Sequence, residues 1–185
     1  MKYDAQATRQ RILDAAIAEF SRYGIAGARV DRIAEAAGSN KSMIYAYYGS
    51  KDQLFDAVFD AIVVRVVDDV PIDAYDLPEY AARLFDQYRT TPEILRIGIW
   101  DYLEREGEGM HIQAVMEANE SKVEALSKAQ QEGVVGGHFP APVLFALILA
   151  LTQMRANAMD GPEDEDGLKR RRQAIKDAVA ILIRA

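Results

Sequence analysis

Apolar residues recur along this chain at the three- and four-residue spacing of helix faces, and nowhere do they alternate for long enough to make a strand. Ile12, Leu13, Ala16, Ile17 and Phe20 form one such face, broken by Gly24 and Gly27, and predict a helix over about 6–23. Val30, Ile33, Ala34 and Ala37 form a short second stripe over 29–37 that stops at Gly38, a residue suited to the left-handed turn after a helix. A third piece, 41–47, has Asn40 placed to cap its first turn and Gly49 to end it. Ser50 and Gln53 are spaced as a capping box, each able to satisfy the other's backbone donor. They open a long helix with Leu54, Phe55, Val58, Phe59, Ile62 and Val66 on one side, which stops before Pro71. Further helices are expected at 77–89, 92–106, 110–132, 141–158 and 167–184, separated by Thr91-Pro92 and by glycine- and proline-containing stretches. The pattern predicts an all-α fold of about nine helices.

Composition narrows the class. Half of the 185 residues are hydrophobic, too many for a disordered chain. The absence of cysteine excludes disulfides, thiolate metal sites and a cysteine nucleophile. The polar first ten residues lack the apolar core of a signal peptide, and the longest apolar run, Ala141 to Leu151, is well short of the ~20 residues of a bilayer span. A cytoplasmic protein with no membrane partner is expected. The net charge of −7 is unevenly placed, with residues 1–51 at +3 and residues 52–185 at −10. That asymmetry suggests a small DNA-facing head on an acidic body.

Three short helices followed by a long one, the second and third joined by a tight glycine-containing turn, make the plan of a helix-turn-helix. One helix must enter the major groove, roughly 12 Å wide, while another braces it across the phosphates. The residues that fill this plan are Thr8 to Ala16, Phe20, Gly24, Val30, Ile33-Ala34, Ala37-Gly38 and Tyr45 to Lys51, with Leu54. In that order and spacing, over residues 5–59, they resemble the DNA-binding domain of the TetR family of regulators. The resemblance implies a helix-turn-helix domain over 1–50, a ligand-binding and dimerisation domain over 51–185, and a homodimer on a near-palindromic double-stranded operator. It further implies repression that is relieved by an unidentified small-molecule effector, with no cofactor. By position, Asn40 to Tyr47 would be the recognition helix. Lys41, Ser42 and Met43 would face base edges, Tyr45 and Tyr47 would touch phosphates or thymine methyls, and Lys51 with the amide end of its helix would bind phosphate. Thr8 and Arg9 would reach the backbone from the N-terminal arm, and Tyr48 would pack in the core.

Two departures from the family pattern stand out. Ser39 occupies a position that is usually aliphatic, which loosens the expected packing of the turn. Arg29 stands where the family commonly has Ser or Thr; it cannot cap through a hydroxyl but supplies a cation for phosphate or guanine. Met43 offers apolar contact alone, so base reading through hydrogen bonds is expected to be sparse.

The body is less explicit. Phe59, Tyr88, Trp100 and Met116 are candidates for a ligand cavity, although aromatic residues at helical spacing also serve packing. Asn119 falls in a gap on an apolar helix face beside Ile112, Val115, Met116, Val123 and Leu126. A buried amide is costly unless satisfied, so Asn119 either caps a local backbone group or meets a polar ligand group. The helix beginning at Ala141 is apolar on all sides, for which a partner subunit is the natural cover, and the last helix pairs with it. Leu144, Ile148, Leu151, Ile175, Val179 and Leu182 are the expected dimer interface, as part of a four-helix bundle. The basic cluster Lys169 to Arg172 has the acidic run Glu163 to Asp166 beside it as a pairing partner.

Enzyme chemistry finds no support. There is no glycine-rich phosphate loop, His111 and His138 have no carboxylate at ligand spacing on a shared face, and Asp101 and Glu104 read as solvent-facing. Two rival readings are a regulator without a small ligand, switched by a protein partner, and a purely structural helical dimer. The second leaves the helix-turn-helix pattern unexplained.

Overall fold

A computed structural model describes residues 2–154 and 164–184 of the chain. Among the described residues there is no strand, and the helices are α1 (Lys2–Gly27), α2 (Val30–Ala36), α3 (Lys41–Tyr48), α4 (Lys51–Asp69), α5 (Leu77–Thr90), α6 (Glu93–Arg105), α7 (Gln113–Gln131), α8 (Ala141–Thr152) and α9 (Glu165–Leu182). A single 3₁₀ turn, Glu108–His111, precedes α7. It occupies the start of the helix expected at 110, because Glu106 and Gly107, both at positive φ, turn the chain sharply after α6. α8 ends at Thr152 rather than 158; Gln153 and Met154 have left the helix, and residues 155–158 lie outside the described residues. Asp164 starts α9 two residues early by accepting the Gly167 amide at 2.7 Å.

The chain forms two compact units, residues 1–65 with 92–116 and residues 66–91 with 117–185. The first is larger than the 1–50 head expected from sequence, since it includes most of α4 and all of α6. Its core is built from Ile12, Phe20, Ile33, Ile44, Leu54 and Phe55, all without solvent exposure, with the Phe20 and Phe55 rings edge to face at 5.2 Å. α6 lies along α1. The Trp100 indole N–H donates to the Ser21 carbonyl at 3.2 Å, and the Glu104 carboxylate accepts the Ala26 N–H at 2.6 Å. Both contacts flank Gly24, whose φ of 73° breaks α1 where the sequence pattern breaks.

Asp101, expected to face solvent, is buried instead. Both of its oxygens accept the Gly109 N–H at 3.0 Å, and Gly109 lies so close to the Phe59 ring that no Cβ would fit between them. Burial raises the Asp101 pKa, against the opposing pull of that amide and of Arg105. Arg105 lies over the Phe55 ring and reaches Asp56 at 2.8 Å. Glu104 is exposed, as expected, but engaged.

In the second unit α5 packs chiefly on α9 and α8, burying Leu77, Tyr80, Leu84, Phe85, Leu144, Ile148, Ile175 and Val179. An ionic network lines this packing: Arg172 pairs with Glu79 and with Asp86, and Lys176 donates to Glu79 at 2.7 Å. These two cations hold the Glu79 carboxyl below its usual pKa. Within the expected basic and acidic runs, Lys169 pairs with Glu165 at 2.7 Å, whereas Arg172 reaches α5.

Candidate nucleic-acid interface

The turn between α2 and α3 is made by Gly38 at φ 58°, with the Ser39 N–H returning to the Ala34 carbonyl at 2.9 Å. The Asn40 side chain then accepts the Met43 N–H at 2.9 Å and starts α3. Ile44 is fully buried and fastens α3 to the core, which turns Lys41, Ser42, Tyr45 and Ala46 outward. Met43 is half-buried rather than fully outward, with its sulfur 3.7 Å from the Ser39 hydroxyl. The hydroxyl thus fills the place of the missing aliphatic side chain.

α2 has no cap from Arg29. Glu19, only 8% exposed on α1, accepts the Arg29 backbone N–H at 2.8 Å and also binds Arg32. The Arg29 guanidinium is left exposed, 4.0 Å from Asp31, and the same carboxylate lies 2.7 Å from the Lys41 ammonium. The Lys51 ammonium points back to the Ala28 carbonyl at 3.4 Å. Of the capping box only one half forms: Ser50 Oγ accepts the Gln53 N–H at 3.0 Å, while the Ser50 N–H goes to the Tyr48 carbonyl.

Arg9 is committed to the end of α3. Its guanidinium lies 5.6 Å from the Tyr47 ring centroid and 5.7 Å from that of Tyr48, and it donates to the Tyr47 carbonyl at 3.3 Å. The Tyr48 hydroxyl donates to the Arg9 carbonyl at 3.0 Å. Tyr47 and Tyr48 are both half-buried, and Thr8 is buried. Six cationic and polar side chains, Arg9, Arg29, Lys41, Ser42, Tyr45 and Lys51, therefore stand on the helix-turn-helix and its flanks. The sequence reading missed Glu19 and Asp31. Glu19 had a visible signal, a carboxylate in the apolar stripe between Ala16 and Phe20.

The ligand candidates are divided between the two units. Phe59, Trp100 and Met116 belong to the first unit, where Phe59 is packed on Phe55 and Gly109, Trp100 holds α1, and Met116 is exposed. Tyr88, buried, and Asn119, half-buried, belong to the second. Of the expected interface residues, Leu144, Ile148, Ile175 and Val179 are covered within the subunit and have no surface to offer. Leu151 and Leu182 instead line an open apolar trough of about 500 Å³ with Leu147, Ala150, Ala178 and Ile181. The periodicity predicts both helices, α8 and α9, but not which side of either faces outward.

Among the described residues no cluster of acidic and histidine side chains is arranged to hold a metal, and no helix is long and apolar enough to cross a membrane. A family model described as bacterial regulatory proteins of the tetR family matches residues 12–58, and one described as the tetracyclin repressor-like C-terminal domain matches residues 76–180. The HTH-type transcriptional repressor SCO4008 of Streptomyces coelicolor is 38% identical to the chain, covering 97% of each protein. The HTH-type transcriptional repressor NicS of Pseudomonas putida is 37% identical over 50% of this chain and 47% of its own length. The solved structure of SCO4942 from Streptomyces coelicolor superposes with a TM-score of 0.81 at 33% identity, covering 95% of this chain and 98% of that one. The helix-turn-helix geometry and these full-length likenesses agree, and the chain belongs to the TetR family: it is a DNA-binding transcriptional regulator rather than an enzyme.

Proposed function

We propose that the chain is a homodimeric repressor which holds a near-palindromic operator through its two helix-turn-helix units and releases it when a small molecule binds the body. The observation that carries the DNA half of this reading is the outward set Lys41, Ser42 and Tyr45 on an α3 anchored by a fully buried Ile44. Lys41, Ser42, Met43 and Tyr45 read the major groove; Arg29, Lys51 and Tyr47 hold phosphates. Residues 1–50 act as the DNA head and 51–185 as the sensing and dimerising body, and α4, which contributes to both compact units, is the lever between them. The trough along α8 and α9 supports the dimer, because the six apolar side chains that line it are only partly covered or exposed among the described residues. Effector binding and DNA binding are then coupled reciprocally: a ligand that prefers the body shape with splayed heads lowers DNA affinity by the factor by which DNA lowers its own.

Selection of binders from random DNA, followed by affinity measurement across a salt series, tests this reading. An enriched inverted repeat with affinity falling steeply in salt is expected. Enrichment of a single half-site would reject the dimer, and absence of any enrichment at low salt would reject unaided DNA reading.

A further inference from the structure

The buried side of α7 follows Val115, Asn119, Lys122, Leu126 and Ala129, the spacing of one helix seam. Four of these positions are buried and Asn119 is half-buried, so the seam carries two polar side chains one turn apart where apolar ones are expected. Lys122 is only 8% exposed. Its ammonium lies 5.6 Å from the centroid of the Phe145 ring on α8, and among the described residues no carboxylate pairs with it and no group accepts a hydrogen bond from it. Asn119 likewise has no hydrogen-bond partner among the described residues. The contrast within the same unit is sharp: Lys176 finds Glu79, and Arg172 finds both Glu79 and Asp86. Desolvation lowers the Lys122 pKa, as it must for a cation left without an anion.

We propose that Lys122 and Asn119 form the recognition point for the carboxylate of a small monoanionic effector, whose apolar part lies along Phe145. This assignment rests on the effector-binding body of the proposed function. A cation on a largely buried side chain is stabilised when an anion completes it, and a ring face satisfies it only in part. A carboxylate has two oxygens, one to accept from the ammonium and one from the Asn119 amide, and its single charge matches the single cation. A phosphate dianion requires further donors and cations than this seam supplies, and a neutral amide or alcohol leaves the charge unbalanced.

The test uses the full chain, with a panel of aryl and alkyl carboxylates from benzoate to dodecanoate, each beside its primary amide, and a matched set of alkylammonium ions. Binding is read as a shift in melting temperature and as release of the selected operator DNA. At least one carboxylate is expected to act, with its amide bound roughly 10- to 100-fold more weakly. Lys122→Met is expected to cause the same loss while leaving operator affinity without ligand unchanged, and Lys122→Arg to retain binding. Ligand-free Lys122→Met should melt at or above the wild-type temperature. Melting well below it would mean that the ammonium has a structural partner, and would overturn the proposal. Response to amides or ammonium ions alone, or a carboxylate response unaltered in Lys122→Met, would overturn the proposal while sparing the effector reading. Silence of every class, together with no operator release by extracts of small metabolites, would overturn both.

Discussion

The ammonium of Lys41 lies 2.7 Å from the carboxylate of Asp31, which also stands 4.0 Å from the guanidinium of Arg29. All three side chains are more than half exposed, so these pairs add little to the stability of the free protein. Against a duplex the balance changes. Asp31 sits between two cations assigned to DNA, where it repels phosphate and competes with it for the same donors. Asp31→Asn is therefore expected to raise operator affinity by about 5-fold at low salt and to steepen the fall of affinity with salt. Fluorescence anisotropy over a salt series measures both, and an unchanged slope would place the first turn of α2 away from the phosphates.

Gly24 is held between Trp100 and Glu104. At φ 73° it has a conformation that an L side chain resists, and a Cβ there would strike the Glu104 carboxylate and the Trp100 indole. Gly24→Ala would thus displace the acceptor of the Ala26 N–H, and a loss of about 2 to 4 kcal/mol in unfolding free energy is expected. Glu104→Gln keeps the shape but weakens the acceptor and should cost less, about 1 kcal/mol. Urea titrations of the two variants give the comparison; equal losses would mean that the backbone strain is negligible.

The head was legible in the sequence because its information is local. Gly38, Asn40 and the stripes of α1 to α4 act within a few residues of one another, and each expected break and cap except the second half of the capping box is present. That half failed because the Ser50 N–H found a nearer acceptor in the Tyr48 carbonyl. What spacing cannot encode is partnership over distance. The Glu104 to Ala26 bond joins residues 78 apart, and Asp101 looked solvent-facing because nothing nearby announced that Gly109 would cover it. α8 fails for another reason: a helix apolar all round carries no periodic signal for which side the rest of the subunit covers. Asn119 shows in the sequence as a gap in the apolar face, whereas Lys122 does not, since lysine on a helix ordinarily reads as a solvated charge.

Tyr88 gives the stability a definite dependence on alkaline pH. Burial raises its pKa from 10.0 to about 12, so the folded state favours the neutral phenol. The unfolded chain releases this proton first, near pH 10. The stabilisation is complete below that value and is lost as pH rises from about 10 through about 12. For Tyr88 alone the loss is on the order of 2 to 3 kcal/mol at the upper end. Denaturation midpoints followed above about pH 9 should decline, and Tyr88→Phe should flatten part of that slope. An unaltered slope in the variant would assign the decline to other groups, with the deeply buried Tyr80 next in line.

The trough on α8 and α9 separates outward apolar side chains from the core. Ile181, which lines it, is 61% exposed, whereas Ile148 on α8 is fully buried. If a second subunit covers the trough, Ile181→Glu introduces a charge into an apolar contact and should shift the protein to monomers, with little change in the folding of each. Ile148→Ala should do the reverse, lowering stability by about 2 to 5 kcal/mol through an internal cavity while leaving the dimer assembled. Sedimentation velocity reads the first outcome and urea unfolding the second. Because a palindromic operator needs two heads on one body, Ile181→Glu should also weaken binding to the full operator far more than to a single half-site. A variant that stays dimeric would show that the subunits meet elsewhere and leave the trough to another partner.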